Sequence, residues 1–156
     1  MALATEQGHG EIMKTKPMLK DENILNREVF PFLFINVFLM VGLSLATFYY
    51  YMDENVEKAR TGLFIVMAFT QVFNVYNLRS INKSIFAIGF FSNKYINLAV
   101  GISILLLVLV TEVPFLTSIF HFQSLHLVDF MVLFLLASSV LWAGEMYKSY
   151  RKKYKS

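Results

Sequence analysis

The chain has 156 residues, a net charge of +3, no cysteine and a mean hydropathy of +0.54; 56% of it is hydrophobic and 16% is charged. An average soluble domain is roughly 45–50% apolar and about 25% charged, so this composition points away from a water-soluble globule, and it is too apolar and too patterned for a disordered chain. The lack of cysteine excludes a disulfide scaffold and any thiolate metal site, and the length suits a single domain.

Residues 1–28 read as a polar cytoplasmic lead-in. They hold Pro17 among charges and lack the apolar stretch that a signal peptide carries behind its basic start. Residues 29–51 then run for 23 positions without a charge. A bilayer core about 30 Å thick takes about 20 residues at about 1.5 Å each, so this is a first membrane span. Pro31 falls in its first turn, where the missing N–H costs little. Tyr49, Tyr50 and Tyr51 close it as an interfacial aromatic belt. Residues 61–78, 95–113 and 127–147 are three further spans. Charges in the last two are confined to their terminal turns, at Glu112, Asp129 and Glu145. Residues 148–156 form a basic cytoplasmic tail, and Glu145 is positioned to pair with it. The fold class is therefore all-α: a membrane protein of four transmembrane helices in an antiparallel bundle.

The loops orient the bundle. Of the 14 Lys and Arg residues, 12 lie before the first span, in the middle loop and after the last span; the other two are Lys58 and Arg60. The positive-inside rule then places both termini, and the loop from Arg79 to Lys94, in the cytoplasm. That middle loop is apolar inside a basic frame, with Ile81, Ile85, Phe86, Ile88, Phe90 and Phe91. Part of it is expected in the membrane interface or against neighbouring protein.

Polar residues within spans are the candidate functional ones. Thr70, Gln71, Asn74 and Asn77 fall within one stripe roughly 120° wide at helical spacing. Amides in hydrocarbon are costly unless partnered, so the stripe faces protein or a wet cavity. Helix–helix hydrogen bonding and an ion pathway both account for it. Gly42 and Ala46 make a small-xxx-small pair, the pattern that lets helix backbones approach, and mark a helix-docking face. Asn36 and Asn97 read as structural amides. His121 and His126 have no third ligand nearby, against the three or four protein ligands that zinc takes. No phosphate-binding glycine loop is present. On residues alone, a small channel, a transporter subunit or a regulator all remain open.

Several stretches resemble the C-terminal membrane domain of type II P-type cation-transporting ATPases, the calcium-pump-like group, which comprises the last four of its ten membrane helices. The segments 12–17, IMKTKP, and 21–25, DENIL, are similar to the family's cytoplasmic loop before its seventh helix. The stretch 71–80, QVFNVYNLRS, resembles its eighth-helix motif, and 83–86, KSIF, with 89–94, GFFSNK, the loop before its ninth. Residues 1–6, MALATE, look like the stretch directly after the sixth helix. The resemblance implies a non-catalytic module that braces moving transport helices during cation translocation, with calcium the expected cation. The family's phosphorylation (DKTG), phosphatase (TGE) and hinge (GDGxND) motifs do not occur in this sequence. ATP and magnesium are accordingly expected only in the missing cytoplasmic domains of a full pump, and no cofactor in this chain. The implied partners are the lipid bilayer, the pump's remaining helices and cytoplasmic domains, and the transported cation, with no nucleic acid. The implied location is the plasma membrane. A family glutamate that joins a calcium site matches Gln71 here. An amide oxygen can ligate a hard cation without adding charge, which implies a single-ion stoichiometry or a different cation. Asn74, one turn along, is the second candidate ligand.

Overall fold

In a computed structural model, the described residues are 30–79 and 84–155, with side chains to residue 151. The lead-in at 1–28, the loop positions 80–83 and the side chains of Lys152, Lys153 and Lys155 lie outside them. Among the described residues there are six helices: α1 (Phe30–Met52), α2 (Val56–Leu78), α3 (Ile85–Ile88), α4 (Lys94–Glu112), α5 (Pro114–Phe120) and α6 (Leu127–Lys155). The four long ones are each apolar enough and long enough to cross a bilayer.

The helix bounds follow local chemistry rather than hydropathy alone. The α2 helix starts at Val56, five residues before the apolar run, because Asn55 caps it: its side chain accepts from the Glu57 N–H at 2.9 Å. Glu57 in the first turn complements the positive end of the helix dipole. At the other extreme, α6 continues past Tyr147 through the basic segment to Lys155. Lys and Arg are good helix formers and favour the negative C-terminal end, so the tail prolongs the last span as helix. Between α4 and α6, Pro114 opens α5 at a position where its ring is pre-set for helix. His121 closes it in the left-handed conformation, at φ 53°.

Consecutive spans alternate in direction. As a result α2 and α6 run parallel, side by side, with Lys58 near Asp129 at one end and Asn77 against Val140 at the other. The α1 and α6 helices both pack on α2, while α4 touches α2 more lightly. Lipid tails are as apolar as leucine, so close packing rather than water exclusion holds such helices together. Phe69 is the centre of that packing: it is fully buried, edge-on to Phe130 at 5.3 Å and to Phe134 at 5.1 Å. Gly62 brings α2 close to α1, and a Cβ added there would sit 3.0 Å from both Thr47 and Tyr51.

The two ends of the bundle are tied by polar contacts. At the end holding the α1–α2 hairpin, Tyr51 Oη donates to Asp129 at 3.2 Å. Lys58 lies 2.6 Å from Glu54, 3.7 Å from Asp129 and 4.7 Å above the Tyr51 ring. At the α3 end, Glu145 and Arg79 hold the middle loop, as described below.

Candidate functional site: a groove beside the amide stripe

The four polar residues of α2 share a stripe, but their surroundings divide it. Asn77 is fully buried and its Nδ2 donates to the Val140 carbonyl at 2.8 Å. It lies so close to α6 that a Cβ on Gly144 would meet its amide at 2.5 Å. Thr70 is also fully buried, and its hydroxyl donates back to the Met67 carbonyl at 2.9 Å. These two serve packing. Gln71 is exposed and Asn74 half-buried, and the buried Asn74 Oδ1 has no hydrogen-bond partner among the described residues.

Gln71 and Asn74 open onto a groove of about 340 Å³ between α1 and α2. Its walls are apolar, with Val37, Met40 and Met67, and Ser44 adds a hydroxyl already committed to the Met40 carbonyl at 2.8 Å. The groove lies along the α1–α2 seam, away from the tight contact at Gly62, and no side chain of the described chain fills the space. The amide oxygens are neutral, hard donors. Calcium takes six to eight oxygens, usually with carboxylates among them, so two amides by themselves do not make a coordination shell. Among the described residues, no group of three or more His, Cys, Asp and Glu side chains is placed to hold a metal ion.

Gly42 and Ala46 are both exposed, and a Cβ added at Gly42 meets nothing within 4 Å. The pair docks no described helix of this chain and faces outward on α1. The glycines that admit close approach within the bundle are Gly62 and Gly144. Their signal was present in sequence as small residues at helical spacing, Ala59 with Gly62 and Val66, and Ala137 with Val140 and Gly144, all buried. Buried Asn36, with neither amide atom hydrogen-bonded among the described residues, is a further polar group inside α1. Asn97 accepts from Tyr76 Oη at 3.0 Å, joining α4 to α2. Glu112 accepts from Ser124 at 2.7 Å. Glu145 pairs with Lys148 at 2.9 Å and also accepts from the Ile85 N–H at 3.1 Å and the Ser84 hydroxyl, a tie to α3 that spacing along the chain does not reveal.

Comparison with known proteins places this arrangement. A family described as "Cation transporting ATPase, C-terminus" matches residues 1–150. Calcium-transporting ATPase 1 of Saccharomyces cerevisiae is 32% identical over 158 residues, covering 97% of this chain and 16% of the yeast protein. Calcium-transporting ATPase 1 of Bacillus cereus is 32% identical over 170 residues, 97% of this chain and 19% of the relative. The Yarrowia lipolytica protein of the same name is 33% identical over 157 residues, 99% of this chain and 17% of the relative. The chain thus spans under a fifth of the length of these relatives, and what it shares with them is their membrane-spanning C-terminal part. With the family match running from the first residue through nearly all of α6, the chain belongs to the C-terminal domain family of cation-transporting ATPases.

Proposed function

We propose that this chain supplies the supporting membrane helices of an ATP-driven cation pump, with calcium as the cation, and that the α1–α2 groove receives an ion-binding helix of that pump. The observation that carries this reading is the groove itself. It is a 340 Å³ space bearing two amide side chains that its own helices leave unfilled. Gln71 and Asn74 complete a coordination shell whose charged ligands come from the incoming helix. Gly42 and Ala46 lie on the neighbouring face of α1 and let a further helix backbone approach. The chain itself carries out no hydrolysis; ATP and magnesium are bound by the pump's cytoplasmic domains. Both termini and the α3 end face the cytoplasm, where 12 of the 14 basic residues fall, and the membrane is the plasma membrane.

The test is transport by the whole pump carrying substitutions in this part. Gln71→Glu adds a charge and makes cation affinity proton-linked. It is expected to shift the cation-concentration curve and its pH dependence, with Asn74→Asp acting in the same way one turn along. Gln71→Leu is expected to weaken apparent affinity. If Gln71→Leu and Gln71→Glu both leave the curve unmoved, the exposed amides are packing residues and the groove is not on the ion path.

A further inference from the structure

We infer that the α2–α4 connection, residues 84–93, is an interfacial anchor that inserts its aromatic side chains at the boundary between phospholipid headgroups and acyl chains. The polar groups of this segment turn inward onto two buried charges. Arg79, 7% exposed, donates through its guanidinium to the Gly89 carbonyl at 2.9 Å, the Phe90 carbonyl at 3.4 Å and Ser92 Oγ at 2.6 Å. Glu145, also 7% exposed, accepts from the Ile85 N–H at 3.1 Å and from the Ser84 hydroxyl. Gly89, at φ +88°, supplies the reversal that aims both carbonyls at Arg79. Main-chain groups satisfied in this way do not need water, which is the condition for irregular backbone near hydrocarbon.

The outer surface is the reverse of an ordinary loop. Phe91 is 86% exposed and Phe86 57%. Phe86 lies 6.0 Å from the ring of Trp142 on α6, itself exposed, and exposed Tyr95 opens α4. These exposed rings come from the connection and from the helices that flank it, α4 and α6. The connection joins the end of one span to the start of the next, so it lies at the membrane surface. From Arg79 through Lys94 the sequence holds three basic residues, Arg79, Lys83 and Lys94, and no acidic one, which suits a phosphate-rich layer. The inference needs only that the helices span a bilayer and does not depend on the ion path.

The single tryptophan makes the test direct. In the full chain reconstituted into phosphatidylcholine vesicles, Trp142→Phe removes the native reporter and Phe91→Trp installs one at a position too exposed to clash. The expected result is blue-shifted emission, quenched more by lipids brominated near the glycerol than by lipids brominated at mid-chain, and not by aqueous iodide. Red emission quenched by iodide would overturn the inference by putting the ring in water. Blue emission untouched by either quencher would overturn it by putting the ring under protein. Phe86→Trp in the same background is a second reporter and is expected to follow the same pattern.

Discussion

At Gly144 an added methyl group would lie 2.5 Å from the Asn77 amide, while at Gly42 it would meet nothing within 4 Å. The same substitution is therefore expected to act oppositely at the two sites. Gly144→Ala pushes Asn77 off the Val140 carbonyl and overpacks the α2–α6 contact, with an expected cost of about 1–3 kcal/mol. Gly42→Ala meets no neighbour, so the helix-propensity gain of about 0.8–1 kcal/mol is the expected upper limit of its effect on this chain. Thermal unfolding of the solubilised chain, followed by circular dichroism, measures both; a Gly144→Ala midpoint at or above the wild-type value would contradict the close contact. That glycines matter in membrane helices was legible in sequence. Which glycine meets a helix was not, because it depends on the direction each face takes after folding.

At the scale of elements, α2 is the hub, and the α3 end is held to α6 through Glu145. Its carboxylate answers three donors at once: Ser84, the Ile85 N–H and Lys148. Removing one partner from a buried pair leaves the other charge uncompensated, at about 3–5 kcal/mol. Glu145→Ala is therefore expected to destabilise the chain by that order and to speed amide hydrogen exchange across residues 84–92. Adding Lys148→Met, which takes away the stranded ammonium, is expected to recover part of the stability but not the slow exchange of α3. If the single variant exchanges at the wild-type rate in this segment, Glu145 does not hold the loop. The pairing with Lys148 was readable from a three-residue spacing on one helix face. The tie to Ile85, 60 residues away in sequence, was not, since neither residue marks the other along the chain.

For the whole molecule, consecutive spans alternate, so the hairpin between α1 and α2 and the segment around Ser124 share one side, with the end of α6 on the other. The orientation proposed above from the basic residues gives that alternation its absolute sense. Single cysteines in this cysteine-free chain provide the check. Asp53→Cys and Ser124→Cys, both exposed, are expected to react with an impermeant maleimide applied to intact cells. Ser149→Cys, exposed near the end of α6, is expected to react only after permeabilisation. Labelling of Ser149→Cys from outside would invert the orientation.

The sequence by itself determined the class of the molecule. Apolar runs long enough for a bilayer, with charges only in their terminal turns, mark the four spans, because hydrocarbon admits little else, and the motif around Gln71 pointed to the family. The start of α2 and the end of α6 needed the capping of Asn55 and the helical continuation of a basic tail, which hydropathy does not register. Only the tertiary structure decided how the amide stripe is used. Asn77 turns into the α6 contact while Gln71 and Asn74 line an open groove. Periodicity places residues on a face of one helix. Which half of that face meets a neighbour is set by the tilt and separation of the helices around it, and those follow from packing across the whole bundle.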